Sequence, residues 1–230
     1  MKTVKFINKI LCAILSMAVL SGIYVTNAFA KTNNDGRYML MLSSIGVAGT
    51  LNEDWQGKIT RGEFVHYANE IFDYPASEAQ AFSDVYNTYE YAKDINSANA
   101  SNVLVVEKSG KFYPESGITL GEATAVLIKS LGYDKLAEKD GKYPDEYMKL
   151  AQTVNMLKNI EIGTSSEMTR AEAYQLLWNM LESYVYEWKK DGANTVYTLN
   201  ENKNVLEDKF KIRKIQGQIT ANDRTALTPY

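Results

Sequence analysis

Met168-Thr169-Arg170-Ala171-Glu172-Ala173 decides how this chain is read. Thr-x-x-Glu before an apolar run is a capping box. The Thr hydroxyl accepts the third helical amide, and the Glu carboxylate reaches back to the Thr amide. The same pattern stands upstream as Ile59-Thr60-Arg61-Gly62-Glu63-Phe64 and as Ile118-Thr119-Leu120-Gly121-Glu122-Ala123. Thr60, Thr119 and Thr169, with Glu63, Glu122 and Glu172, are therefore expected to cap three helices. Each box should contribute about 1 kcal/mol. The boxes lie 59 and 50 residues apart, which makes them an internal repeat.

Arg61 and Arg170 follow the capping Thr at the first helical position, against the positive end of the macrodipole. Two readings are open. Each is a surface Arg, solvated or paired with a carboxylate of a neighbouring repeat. Alternatively, each guanidinium joins helix N-terminal amides in binding an anion.

Outward from the boxes, apolar spacing predicts helices. Tyr38–Ile45 ends at Gly46. The first box opens a helix with Phe64, Val65, Ala68, Ile71 and Phe72 on one face, stopped by Pro75. Phe82-Ser83-Asp84-Val85 begins the second unit, with Tyr91, Ile95 and Ala98 inward. Its box opens a helix carrying Ala123, Val126, Leu127 and Leu131, closed by Gly132. The third unit has a first helix on Tyr147, Leu150, Ala151, Val154 and Leu157. Its box helix is expected to be the longest, with Leu176, Leu177, Met180, Leu181, Tyr184 and Trp188 on one stripe. Each unit is helix, Gly-bearing loop, helix, and no pair can bury its own stripe alone. The repeats span about 36–75, 80–134 and 143–188 within a helical domain of residues 31–190. Residues 191–230 form a separable, β-like tail or the start of a further module: Thr195–Leu199 is strand-like, and Lys214–Thr220 alternates.

Residues 1–30 read as a signal peptide. Lys2, Lys5 and Lys9 precede an apolar Ile10–Leu20 stretch, and Ala28-Phe29-Ala30 is a cleavage site. Its removal leaves 22 basic and 28 acidic residues and no Cys. That balance argues against a nucleic-acid partner. An exported chain without disulfides fits a bacterial surface. No membrane span is expected after signal removal. His66 is the sole His and sits beside the apolar face of its helix, so zinc chemistry and a Ser-His-Asp triad are not expected. The box carboxylates are accounted for by capping. No catalytic residue, metal or cofactor is predicted.

Phe82-Ser83-Asp84-Val85, Gly110-Lys111-Phe112-Tyr113-Pro114 and Ile118-Thr119-x-Gly-Glu122, in that order, resemble one S-layer homology (SLH) motif. Met168–Ala173 is close to that family's Ile-Thr-Arg-Ala-Glu signature. The resemblance covers roughly residues 36–183. The third unit lacks the Phe-x-Pro loop, and the first has Trp55 where that Pro falls. The resemblance implies an all-α, pseudo-threefold domain that anchors the protein to secondary cell-wall polysaccharide bearing pyruvate ketals. It implies further that Arg61 and Arg170 line grooves and meet the sugar carboxylate. Leu120 departs from the pattern, so the second groove lacks the signature Arg. The expected location is the cell wall or S-layer. The alternative is a structural or assembly protein whose repeats bind another protein.

Overall fold

The computed structural model describes residues 36–47, 54–106, 109–139, 141–192 and 194–213. The signal-peptide stretch and Lys214–Thr220 lie outside them. Among the described residues the chain is mostly helical, with one antiparallel hairpin. In chain order the elements are α1 (Arg37–Ser44), α2 (Arg61–Phe72), α3 (Ala92–Ala100), α4 (Leu120–Ser130), α5 (Asp134–Ala137), α6 (Asp145–Thr153) and α7 (Arg170–Glu182). Strands β1 (Tyr184–Asp191) and β2 (Asn194–Asn204) and the short α8 (Val205–Asp208) follow.

Helices α2, α4 and α7 begin one residue after Thr60, Thr119 and Thr169, and each Thr hydroxyl accepts the amide of the Glu three residues on. Their ends follow local chemistry too. Asp73 caps α2 in a left-handed conformation two residues before Pro75, and Gly132, at φ +78°, turns the chain out of α4.

Packing runs between units rather than within them. Helix α2 packs on α3, α4 on α6, and α7 on α1. Each box helix thus meets the first helix of the unit that follows, and the last meets the first unit. One core results, filled by Phe64, Ile95, Leu127, Tyr147, Tyr174 and Leu176 among others. Fully burying a large apolar side chain stabilises by about 1.5–3 kcal/mol. The interlocked order means that removing one unit uncovers two others.

Two expectations are corrected. The third box helix stops at Glu182 instead of continuing through Tyr184 and Trp188. Ser183 is extended (ψ 152°), and its buried hydroxyl donates to the Met180 carbonyl. From Tyr184 the alternation of aromatic and β-branched residues pairs as β1. A division at 190/191 falls inside the hairpin, because Tyr186–Asp191 pair with Leu199–Asn194. The residues after the hairpin are docked. Val205 and Leu206 are buried, the Val205 amide donates to Ser183, and Lys209 reaches the Leu131 carbonyl.

Candidate functional site

The three boxes meet one another. The Ile59 amide donates to Met168, the Met168 amide to Ile118, and the Ile118 amide to Ile59, at 3.1, 2.9 and 3.2 Å. These hydrogen bonds form a closed cycle. A second ring surrounds it. The first two amides of α2 donate to the carbonyls of Ser116 and Pro114, those of α4 to Ser166 and Thr164, and those of α7 to Gly57 and Trp55. Every box helix therefore has its opening amides satisfied by the loop before the next box in the cycle.

This removes half of the anion-site argument. Those helix-terminal amides are spent on neighbouring carbonyls. It also explains the departures from the loop motif. Trp55, Pro114 and Thr164 occupy equivalent places, and each supplies a main-chain oxygen, which any residue can provide.

The side chains repeat the cycle with one break. Arg61 at the head of α2 pairs with Glu122 of the next box. Arg170 at the head of α7 pairs with Glu63, Nε to Oε1 at 2.7 Å and Nη2 to Oε2 at 2.9 Å. At the third seam Leu120 stands in the Arg position, 2% exposed, and Glu172 is the carboxylate one box on. The unfavourable placement of a cation at a helix N-terminus is thus offset by a carboxylate across each of two seams.

The pairing alters one box. Glu122 and Glu172 each reach back to the capping Thr amide, at 3.0 and 2.7 Å. Glu63 does not: its amide reaches Thr60, but both carboxylate oxygens are taken by Arg170. Its expected side-chain capping role is replaced by a seam ion pair.

Around Arg61 the seam is narrow. Val65, Leu104, Val105, Phe112, Ile118 and Val126 line it. The guanidinium lies over the Phe112 ring, 4.9 Å from its centre, and donates to the Val105 carbonyl at 3.3 Å. Its Nε is buried and finds no acceptor among the described residues. Tyr143, 40% exposed, has its hydroxyl pKa raised by burial and by Glu122, with Arg61 acting oppositely. At Gly62 a side chain would collide with Tyr89, whose hydroxyl would lie 2.5 Å from a Cβ.

Asp84, quoted above only as motif text, holds the loop that feeds the first seam. Its carboxylate accepts the amides of Phe112 and Tyr113 at 2.9 and 2.8 Å. Burial raises its pKa, but these amides and Lys111 outweigh that and lower it. The spacing from Asp84 to Phe112 spans 28 residues, so local sequence gives no hint of the contact. His66 accepts a structural reading. Its Nδ1 lies 2.8 Å from Asp94, and its ring stacks on Tyr91 at 4.9 Å, tying α2 to α3. Among the described residues no group of three or more His, Cys, Asp or Glu is placed to hold a metal, and no helix is long and apolar enough to cross a membrane.

Residues 81–124 match the family model of the S-layer homology domain. They run from the Phe82–Val85 start through the Phe112–Pro114 loop into α4. The chain is 22% identical over 182 residues to the "Cell surface protein" of Thermoanaerobacter kivui, covering 74% of this chain and 23% of that protein. It is 23% identical over 204 residues to the "Middle cell wall protein" of Brevibacillus brevis, covering 83% of this chain and 19% of that protein. The chain spans about a fifth of the length of these curated relatives. Over residues 81–124 the chain is similar to an S-layer homology domain.

Proposed function

We propose that this chain is a non-catalytic anchoring module, exported to the cell surface and held there by three SLH repeats in pseudo-threefold array. The closed cycle of hydrogen bonds among the three boxes is the observation that carries the reading. It joins segments 59 and 50 residues apart by equivalent contacts, which an unrelated helical bundle has no reason to do. The family match and the names of the two relatives support a cell-wall setting.

The ligand in this reading is cell-wall polysaccharide bearing pyruvate ketals, and its carboxylates address Arg61 and Arg170. Glu122 and Glu63 hold the two guanidinium groups in place and compete with the incoming anion. Three features support a ligand at the seams. Arg61 keeps one buried N–H unmet among the described residues, a group that ordinarily finds a partner. Arg170 keeps 24% of its side chain exposed. Tyr143 offers a part-exposed ring beside the first pair.

Because both Arg residues also hold the fold, the test needs variants that separate the roles. Arg61→Gln and Arg170→Gln are first checked for cooperative melting, then sedimented with purified wall polysaccharide with and without its pyruvate groups. Loss of a charge-assisted contact should weaken binding by about 1.5–3 kcal/mol, roughly 10- to 100-fold, only for the pyruvylated polymer. Glu63→Gln removes a competitor and should leave binding equal or tighter. Folded variants that sediment like wild type would assign the arginines to structure alone.

A further inference from the structure

The β1–β2 hairpin lies outside the repeat motif, and its two halves differ. Opposed residues of an antiparallel pair share a face. Tyr186 and Leu199, Trp188 and Tyr197, and Lys190 and Thr195 are opposed, so they form one face. The near end is anchored. Tyr186 meets the Tyr133 ring edge-on at 5.7 Å, and its amide donates to the Tyr133 hydroxyl. The far end is bare. Trp188 is 65% exposed, with half-buried Tyr197 beside it and exposed Lys190 next along the strand.

An exposed indole on a hydrated hairpin retains unfavourable apolar contact with water. Among the described residues it is Tyr186, not Trp188, that is seen fastening the hairpin to the helices. The bare area is one indole and part of one phenol ring. That is far below the roughly 800 Å² per partner of a stable protein interface. A flat ring of this size matches the C–H face of one or two sugar rings. The charge beside it favours an acidic polymer. Lys190, on the face of Trp188, forms no ion pair among the described residues; Glu187, Lys189 and Asp191 alternate onto the opposite face, and Glu187 is paired with Lys203. This cationic tip stands out on a chain of net charge −3.

We infer that the hairpin tip, through Trp188, Tyr197 and Lys190, is a second contact for an acidic glycan, outside the seams between boxes. The inference rests on the anchoring function proposed above. It extends the bound length of the polymer beyond the seams, so the two contacts raise each other's effective concentration.

Acrylamide quenching of tryptophan fluorescence reads this contact directly. Trp178 is buried and Trp55 half-buried, so Trp188 is the most accessible of the three indoles. Purified acidic wall polysaccharide should shield it. Trp188→Ala and Tyr197→Ala, both melting like wild type, should weaken co-sedimentation by about 10-fold each, as aromatic contact residues commonly do. Lys190→Ala should act less and chiefly at low salt. If wild type sediments while Trp188 stays fully quenchable and both aromatic variants bind normally, the hairpin contact is overturned and the anchor stands. If wild type does not sediment, both are overturned. Shielding by a wall-protein fraction but not by polysaccharide overturns the glycan as occupant.

Discussion

Two seams between boxes carry an Arg–Glu pair and the third does not, although the main chain treats all three alike. Ile59, Ile118 and Met168 exchange equivalent hydrogen bonds, and each box helix has its first amides met by a neighbouring loop. The side chains then diverge: Arg61 with Glu122, Arg170 with Glu63, and Leu120 at the seam facing Glu172. The backbone cycle is thus sufficient to define the arrangement. The charged pairs add local stability and present guanidinium groups, and they can be lost at one seam without loss of the pattern.

The largest effect should come from breaking the pair whose carboxylate is the more buried. Arg170→Ala leaves Glu63, 7% exposed, without its bidentate partner. That should cost about 2–4 kcal/mol, read as a fall in the chemical-denaturation midpoint, because a buried carboxylate is left uncompensated. From the sequence alone the same change is expected to cost little, since the helix dipole disfavours the cation. The neighbouring carboxylate reverses that expectation. Adding Glu63→Gln should restore part of the loss, and no restoration would show that the ion pair is not its source.

Next in size is capping. Thr169 accepts the Glu172 amide and receives the Glu172 carboxylate on its own amide, while Thr60 has only the first contact. Thr169→Ala should cost about 1 kcal/mol, and Thr60→Ala somewhat less. Equal losses in thermal unfolding would show that diverting Glu63 to Arg170 does not weaken the first cap.

Leu120→Arg tests whether the third seam can be made like the others. A new charge-assisted pair with Glu172, about 1.5–3 kcal/mol, is opposed by loss of a buried Leu of similar size, so the net change should stay within about 1 kcal/mol. A double-mutant cycle with Glu172→Gln should show coupling between the two positions. Zero coupling would mean that the third seam differs in backbone spacing as well as in side chain.

The smallest effect is with pH. The hydrogen bond to Asp94 raises the His66 pKa, burial opposes it, and the fields of Asp94, Glu70 and Glu90 add to the rise. The contribution of this contact is fully present below the unfolded value near 6.5 and is lost as pH rises through the higher folded value. Melting temperature should fall slightly across that window, and His66→Gln should remove this step. An unchanged step in the variant would assign it to other groups.

The three box helices and their first-helix partners are legible in the sequence because Thr-x-x-Glu and 3.6-residue spacing are local signals. The seams are not. They depend on carbonyls of Trp55, Pro114 and Thr164, and a carbonyl carries no sequence signature. The end of α7 is misread because Tyr184 and Trp188, four apart, fit a helical stripe as well as one face of a strand. The docking of the tail had a readable cue in Asn204-Val205-Leu206-Glu207. Asn204 caps the Glu207 amide at 2.8 Å, as Thr does in the boxes, and the two apolar residues between them are buried.

Native-state hydrogen exchange at the amides of Ile59, Ile118 and Met168 tests the closed cycle most directly. All three side chains are at most 2% exposed, and each amide closes one link. If the boxes form one cooperative ring, the three amides open only with global unfolding and share one protection free energy, which falls equally in Arg170→Ala. Protection at one of them well below the other two, or a loss in Arg170→Ala confined to Ile59, would show instead that the seams open separately.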